Sequence, residues 1–376
     1  MHRYLDYNAT SPVIDQSLTA YTEAAGCASG NPSSLHWAGR AARKLLDDAR
    51  DVLAKQLNVE PGSIVFTSGG TEANNLAIHG WLSKQEPGKI VVSAIEHPSV
   101  LQPLKYWAEK PGWEVVCVRP NSDGVVEAET FCSHIDKDTR LACLMLVNNE
   151  TGAIQPVEAV GKYCRDNGVI TLIDAVQALG KIPINLSKLP VDLISFSAHK
   201  IGGPKGIGAL IIRRGLKLEA LLQGGGQERK RRSGTENVPA AAGFAAALGV
   251  LDFGHCSAVR DGFEEALADA LPEVIFFARQ TDRVANTSMF SMPGLDGETL
   301  LMQLDLAGFA VASGSACSSG KRDASHVLLA MGVSDQASRS SLRVSFGPEH
   351  SLDDADALIQ ALVSIRKRLK VMAGAV

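Results

Sequence analysis

Short apolar blocks rich in β-branched residues recur between residues 63 and 214, and most of them are nearly continuous rather than alternating. This pattern is typical of strands that are buried on both faces of a sheet. Seven strands are predicted: Ser63–Thr67, Lys89–Ala94, Glu114–Val118, Leu141–Val147, Val169–Ile173, Leu193–Ser197 and Ala209–Arg213. Helical patterning lies between several of them, as in Thr71–Lys84 and in Val157–Asn167, which is followed by the helix-ending Gly168. The alternation predicts an α/β fold with a mostly parallel, doubly wound, seven-stranded sheet that binds ligands at the carboxyl ends of its strands.

The pattern of predicted elements changes after about residue 250, where helices and strand-like segments no longer alternate regularly. The predicted elements there are a helix at Ala258–Leu271, strands at Val274–Ala278, Ser288–Ser291 and Leu342–Phe346, and a terminal helix within Asp353–Met372. We interpret this part as a smaller α+β domain, onto which the first dozen residues pack. The predicted division is a large domain at 15–250 and a small domain formed by 1–14 and 251–376, with the active site in the cleft between them.

Composition and charge exclude several classes of protein. The 376 residues have a formal net charge of −4 and a pI near 6.2, which does not favour nucleic acid or an anionic membrane as a partner. No apolar run approaches the roughly 20 residues that cross a bilayer, and the chain starts without a basic and then apolar signal, so we expect a cytoplasmic protein. Its seven cysteines form no CxxC pair, so neither disulfides nor an intrinsic metal site is predicted. Cys117 and Cys143 lie in apolar runs and are expected to be buried.

Three stretches combine residues suited to binding a phosphorylated, imine-forming cofactor. Lys200 follows a predicted strand with Ser197 and His199 beside it and glycines after it, as expected for a lysine that forms a Schiff base next to a phosphate. Asp174 ends the strand before it, where a carboxylate can pair with a protonated pyridine nitrogen. The segment 67–72 begins a helix with small residues and a hydroxyl, which suits phosphate.

Each of these stretches alone has an ordinary structural alternative. Lys200 is then a strand-end lysine in a loop, Asp174 is a helix N-cap, and the Gly and Thr residues of 67–72 are a common helix start. The residues by themselves leave these alternatives open.

A longer series of motifs resembles the NifS/IscS-type cysteine desulfurases, which belong to the class V, fold type I pyridoxal-phosphate enzymes. The motifs are DYNATSP at 6–12, GNPSS at 30–34, TSGGTEANN at 67–75, EHPSV at 96–100, VNNETG at 147–152, DAVQ at 174–177, SFSAHKIGGPKGIG at 195–208, GGGQER at 224–229, RSGTEN at 232–237 and SGSACSSG at 313–320. They occur in the family's order from about residue 4 to 347. The resemblance implies a fold type I transferase that uses pyridoxal 5'-phosphate.

The resemblance also implies a set of site residues. Lys200 is the Schiff-base lysine, Asp174 pairs with the pyridine nitrogen, Gln177 binds the phenolic oxygen of the cofactor, and His97 stacks on its ring and relays a proton. The residues implied at the phosphate are Gly70, Thr71, Ser197, His199 and, from the neighbouring subunit of a homodimer, Thr235. Asn149 and Arg343 match positions that bind the substrate carboxylate, and arginine suits a carboxylate because it can bind both oxygens.

Cys317 is the implied sulfur acceptor, and it lies in a run of small residues that favours an exposed, mobile thiol. The implied reaction removes sulfur from L-cysteine as a persulfide on Cys317 and releases L-alanine. The long segment between Cys317 and Arg343 resembles relatives that pass sulfur to acceptor or iron–sulfur scaffold proteins, with Cys317 a transient cluster ligand. An aminotransferase or selenocysteine lyase of the same fold is a competing hypothesis, as is a non-catalytic relative.

The basic run at 229–232, Arg-Lys-Arg-Arg, stays open between two interpretations. One is a solvated, charged loop. The other is a surface that attracts acidic partners or the anionic cofactor.

Overall fold

The computed structural model describes residues 2–27, 29–313 and 324–372. The strands are β1 (Arg3–Tyr4), β2 (Ile64–Thr67), β3 (Lys89–Ser93), β4 (Glu114–Val118), β5 (Thr139–Cys143), β6 (Ile170–Asp174), β7 (Leu193–Ser197), β8 (Gly208–Ile212), β9 (Ile275–Phe277), β10 (Thr287–Ser291), β11 (Phe309–Ala310), β12 (Ala312–Ser313) and β13 (Ser341–Ser345). The α-helices are α1 (Asp15–Cys27), α2 (Trp37–Leu57), α3 (Gly70–Leu82), α4 (Pro98–Ala108), α5 (Ala128–Ser133), α6 (Val157–Asp166), α7 (Gln227–Lys230), α8 (Val238–Ala247), α9 (Cys256–Ala270), α10 (Gly297–Leu306), α11 (His326–Ala330), α12 (Asp335–Arg339) and α13 (Leu352–Met372).

Seven strands form one large sheet in the order β2-β8-β7-β6-β5-β3-β4. All neighbouring pairs from β7 to β4 are parallel, whereas β8 runs antiparallel to both of its neighbours. Each strand corresponds to one of the seven predicted from the apolar blocks. The largest difference concerns Leu141–Val147, because the regular strand is Thr139–Cys143. The residues after Cys143 stay beside β6, since the N–H groups of Leu144 and Leu146 donate to the carbonyls of Leu172 and Asp174. They are buried like the strand itself, so burial alone does not mark where the strand ends.

Helices cover both faces of this sheet, as the doubly wound prediction requires. Successive residues of each central strand point to opposite faces. In β7, Leu193 lies in a core with α3 and α4, whereas Ile194 lies in a second core with α2, α6 and α8. Each core therefore takes alternate residues of the same strand. The predicted fold class, α/β with a mostly parallel sheet, is confirmed.

A separate core lies on a four-stranded antiparallel sheet of order β12-β13-β10-β9. Phe263 of α9 and Leu358 of α13 are fully buried in it. Leu5 and Tyr7 also belong to this core, and β1 pairs in parallel with β11. The first residues thus pack beside elements that follow residue 250. The domain boundaries at residues 14 and 250 stay a prediction.

The two cysteines expected in the core differ. Cys143 on β5, in the middle of the sheet, is buried, which confirms that prediction. The prediction for Cys117 is wrong, because its side chain is exposed. Cys117 lies on β4, the edge strand, where neighbouring elements cover the apolar block less completely.

The carboxyl ends of the parallel strands meet at one edge of the large sheet. β2 also ends there, because it runs antiparallel to β8, which itself runs antiparallel to β7. The segments that leave this edge include the start of α3 after β2, the start of α4 after β3, and the turns after β6 and β7. None of the helices in the described ranges is long and apolar enough to cross a membrane.

Candidate active site

A cavity of about 300 Å³ lies at this edge of the sheet. Its lining residues are Asn8, Ala9, Gly70, Thr71, His97, Ser99, Met145, Val147, Asn149, Asp174, Val176, Gln177, Ser197, His199, Lys200 and Arg343. Ten of the predicted site residues are among them. Thr235 is exposed just before α8 and does not line this cavity. Cys317 falls outside the described residues.

Asp174 is the last residue of β6 and is only 6% exposed. Its Oδ2 accepts a hydrogen bond from Asn74 Nδ2 at 2.8 Å, and its Oδ1 accepts one from the main-chain N–H of Val176 at 3.0 Å. A turn rather than an α-helix follows it in the described chain, so the helix N-cap interpretation is wrong. Both oxygens are held by donors, which keeps the carboxylate in place at the cavity wall.

His97 is the N-cap of α4, and its ring also lines the cavity. The main-chain N–H of Ser99 donates to Nδ1 at 3.1 Å. Burial lowers the pKa of His97, with further lowering by Lys200 and His326, against an opposing effect of Asp174. The ring is therefore neutral at physiological pH. Because Nδ1 accepts from a main-chain N–H, the ring proton lies on Nε2.

A chain of hydrogen bonds joins these two residues behind the cavity. His97 Nδ1 lies 2.8 Å from Ser99 Oγ, and Asn74 Nδ2 donates to Ser99 Oγ at 2.9 Å as well as to Asp174. Asn74 is fully buried on α3. The Asn74 side chain on α3 thereby fixes the positions of Ser99, which follows β3, and of Asp174, which ends β6.

Lys200 ends the short turn Ala198–Lys200 that follows β7. Its Nζ donates to the main-chain carbonyls of Asn8 at 2.6 Å and Ala9 at 2.8 Å. Ser11 Oγ donates to the Lys200 carbonyl at 2.8 Å. The amino-terminal segment thus fixes both the backbone and the side chain of the lysine.

The start of α3 forms the end of the cavity that suits a phosphate. A Cβ at Gly70 would lie 2.5 Å from a methyl group of Val176, so only glycine lets the helix start approach the turn after β6. Main-chain N–H groups at a helix start favour anions. A second cavity of about 350 Å³ adjoins this end, and it is also lined by Thr71, His199 and Lys205. Burial lowers the pKa of His199 to about 4, with further lowering by Lys200 and Lys205, so this end gains no charge from the imidazole at neutral pH.

Arg343 on β13 also lines the cavity and is 5% exposed. Its Nη2 donates to Asp6 Oδ1 at 2.7 Å and its Nη1 to the Asn149 carbonyl at 2.8 Å. Its buried Nε has no acceptor among the described residues. A guanidinium held in this way still has a donor to offer to an anion.

Two buried carboxylic acids lie behind the cavity. Burial raises the pKa of Glu96 far above its ordinary value, and Asp174 adds to the rise. Burial raises the pKa of Glu150 to about 7, against the opposing effects of its hydrogen bond from Ser325 and of Arg343. Burial therefore favours the protonated form of Glu96, and Glu150 titrates close to neutral pH.

The sequence interpretation assigned no role to several residues at this site. They are Asn8, Asn74, Ser99 and Lys181, and the first three lie in motifs already recognised at 6–12, 67–75 and 96–100. The motif boundaries are the signal that could have drawn attention to them. Lys181 lies in none of those motifs.

The basic run is only partly a solvated loop. Arg232 Nε donates to Glu72 Oε1 at 2.8 Å, so it pairs with the first turn of α3. Arg231 donates to a main-chain carbonyl at 2.9 Å. Arg229 and Lys230 are exposed. Half of the run therefore has a structural role, which the charge pattern did not predict.

No group of three or more His, Cys, Asp or Glu side chains in the described part of the chain is arranged to hold a metal ion. The donors around the cavity are instead suited to an organic anion. A lysine, a carboxylate at a strand end and a helix start lie around one space.

Comparisons with known proteins define the class. The model of the aminotransferase class-V family matches residues 3–358, and the chain belongs to this family. Within it, the chain is similar to proteins named cysteine desulfurase IscS, at 37% identity to that of Dictyoglomus turgidum over 98% of this chain and 95% of the relative. The identity to that of Mannheimia succiniciproducens is 40% over 98% of this chain and 93% of the relative. The resemblance inferred from the motifs is confirmed.

Solved structures agree with this assignment. A structure described as a NifS-like protein superposes with a TM-score of 0.90 at 34% identity, covering 98% of this chain and all of that one. The similarity therefore includes both the large sheet and the elements after residue 250.

Proposed function

We propose that the chain is a pyridoxal-phosphate-dependent cysteine desulfurase. The observation that carries the proposal is the meeting of Lys200, Asp174, His97 and Gln177 with the start of α3 around one cavity, in a chain that belongs to the class-V family. A non-catalytic relative would have no need to keep all of these groups together. The reaction removes sulfur from L-cysteine and releases L-alanine.

The cavity fits pyridoxal phosphate. Gly70 lets the start of α3 lie close to the turn after β6, and Thr71, Ser197 and His199 line the space there and can hold the phosphate. The carboxylate of Asp174 can pair with the pyridine nitrogen, and the side-chain amide of Gln177 can donate to the phenolic oxygen. When bound, the cofactor accepts electrons from the α-carbon of the substrate and so weakens its carbon–sulfur bond.

Lys200 is the covalent anchor and the group that moves the α-proton. Its amine is already held by two main-chain carbonyls that line the same cavity, so little reorganisation precedes its reaction. His97 would stack on the cofactor ring as a neutral imidazole, and its Nε2–H is available to donate a hydrogen bond to the substrate sulfur. To relay a proton there, the ring would first take one up, for example from the substrate thiol.

The substrate carboxylate binds between Arg343 and Asn149. The unpaired Nε–H of Arg343 supplies a donor, and its two Nη groups are fixed by Asp6 and by the Asn149 carbonyl. A positioned guanidinium favours one orientation of the bound amino acid.

Sulfur capture belongs to Cys317, which lies outside the described residues. Its thiolate attacks the substrate sulfur and keeps that atom as a persulfide, while the remaining three-carbon skeleton leaves as L-alanine after taking up protons. A reductant or an acceptor protein then removes the sulfur. The acceptor is a protein of iron–sulfur cluster assembly or of another sulfur pathway, and the enzyme works as a cytoplasmic homodimer.

The dimer proposal concerns Thr235, which lies away from the cavity of its own chain and is exposed. An exposed hydroxyl before α8 is free to reach the phosphate of a second copy. The large domain at 15–250 and the small domain at 1–14 and 251–376 together form each site.

The test is a product assay with L-cysteine that measures alanine and sulfide together, with and without dithiothreitol. Brief exposure without reductant should add one sulfur atom to the peptide containing Cys317. Cys317→Ser should keep the cofactor spectrum and release almost no alanine, because a serine oxygen cannot take up sulfur. The matched control is Cys27→Ser, which alters another exposed thiol and should keep full turnover. Pyruvate or glutamate as the product, or added sulfur on Cys27, would refute the proposal.

A further inference from the structure

A second lysine lies beside the cavity, behind Gln177. Lys181 Nζ donates to Gln177 Oε1 at 2.8 Å and to Asn8 Oδ1 at 2.5 Å. The residue is partly buried, and these contacts show that its amine is directed inward. Lys181 itself does not line the cavity, whereas both of its amide partners do. Its hydrogen bonds can therefore affect a bound molecule only through these two partners.

The contacts fix the orientation of the Gln177 amide. Gln177 Nε2 donates to the main-chain carbonyl of Asn8 at 2.8 Å, and its Oε1 faces the Lys181 amine. A reversed amide would place its oxygen against that carbonyl and its hydrogens against a donor. One hydrogen of Nε2 is used by Asn8, so the second is available to the cavity. That hydrogen is the one that a phenolic oxygen would accept.

Lys181 fixes Asn8 in the same way. Asn8 Nδ2 donates to Thr287 Oγ1 at 2.9 Å, which leaves its Oδ1 for Lys181. The main-chain carbonyl of Asn8 is also the acceptor for Lys200 Nζ at 2.6 Å. Lys181 thus holds two residues that contact each other, and one of them, Asn8, also contacts the reactive lysine.

The environment of Lys181 is unfavourable for an ammonium group. Burial lowers its pKa far below the ordinary value, Lys200 and Arg343 lower it further, and Cys256 opposes them. Cys256 in turn lies near Glu349 and Asp252. No carboxylate within the described ranges pairs with Lys181. Among the described residues its hydrogen-bond acceptors are two amide oxygens, and the ring of Phe253 lies 5.7 Å from the amine. These contacts compensate weakly for burying an amine, so stability alone does not explain Lys181.

We propose that Lys181 is a positioning residue that holds the Gln177 amide so that its hydrogen is directed at the phenolic oxygen of pyridoxal phosphate. This inference rests on the proposed assignment of Lys200 and Gln177 to the cofactor. When the amine is protonated, it also adds positive charge behind this amide, on the phenolic side of the ring. Both effects favour loss of the proton shared between the phenolic oxygen and the Lys200 nitrogen.

The test is the pH midpoint at which the absorbance of the bound cofactor changes, measured on the full-length holoenzyme. Lys181→Met should raise this midpoint by about one pH unit, because the donor on the phenolic side is no longer held. Lys181→Gln, which keeps a donor, should give a smaller rise. The matched control is Lys188→Met, an exposed lysine in the same connection, and it should leave the midpoint unchanged.

A double-variant cycle separates positioning from general packing. Gln177→Leu should raise the midpoint by itself, and Lys181→Met added to it should cause little further rise. Independent, additive shifts would overturn the proposal, as would an unchanged midpoint in Lys181→Met that retains cofactor. Failure of both Lys181 variants to fold would also overturn it, because the role would then be structural.

Borohydride labelling of the wild type distinguishes this proposal from the function it rests on. Fixation of the cofactor on the peptide containing Lys200 supports the site assignment, so that an unchanged midpoint then overturns the role of Lys181 alone. Fixation on another lysine overturns both.

Discussion

Asn74 should be more important for catalysis than its distance from the reacting atoms indicates. Its side chain is fully buried and donates to Asp174 Oδ2 at 2.8 Å and to Ser99 Oγ at 2.9 Å. Asn74→Ala removes both donors. Asp174 then keeps only the main-chain N–H of Val176, on its other oxygen. The carboxylate becomes less well placed for a pyridine nitrogen, and the Ser99 hydroxyl that contacts His97 loses its donor.

The magnitude follows from the lost hydrogen bond to a charged group. Such a bond contributes about 1.5–3 kcal/mol. If this amount is lost from the transition state, turnover falls roughly 10- to 150-fold. The fall should appear in kcat rather than in KM, because the residues proposed to bind the substrate carboxylate, Arg343 and Asn149, have no hydrogen bond to Asn74. Cofactor retention should also weaken.

The assay measures alanine release against L-cysteine concentration on variants loaded with pyridoxal phosphate, together with thermal melting to verify the fold. Asn75→Ala is the matched control, because Asn75 donates to the carbonyl of Thr71 in its own helix and has no contact with Asp174. We expect it to keep turnover within about twofold. Normal kcat in Asn74→Ala, or an equal loss in Asn75→Ala, would refute the reasoning.

Three further variants address separate groups. Lys200→Ala should fold and bind cofactor non-covalently but show no turnover, and alanine release at the wild-type rate would contradict its role as anchor and base. Asp174→Asn should lower turnover by several orders of magnitude, because the amide keeps the shape but not the charge; near-normal activity would exclude the electrostatic role. Glu150 has a pKa raised by burial to about 7 from 4.5, so its protonated form is favoured in the folded state. Its contribution to stability is full below pH 4.5 and is lost as the pH rises through about 7, a change of about 3 kcal/mol. Glu150→Gln should therefore flatten the decrease in melting temperature over this range, and an unchanged decrease would show that other groups cause it.

The sequence alone determined the elements of the large sheet and the residues at its carboxyl edge. Strands buried on both faces leave continuous apolar blocks, so seven blocks predicted seven strands. Residues that follow such blocks lie at one edge if the strands are parallel. That rule placed Asp174 and Lys200 together, and the family's motifs supplied the other residues. These inferences depend on local pattern and on one general property of parallel sheets.

Tertiary structure decided the contacts between residues distant in the chain. Asn74 and Asp174 are 100 positions apart, and Lys181 and Asn8 are 173 apart. Which of them meet depends on strand order, on the reversed direction of β8 and on the return of the amino-terminal segment across the cavity. No local pattern records this order, because it results from packing the whole chain around three cores. The same reason explains why Cys117 is exposed on an edge strand although its neighbours are apolar, and why half of the basic run forms internal contacts.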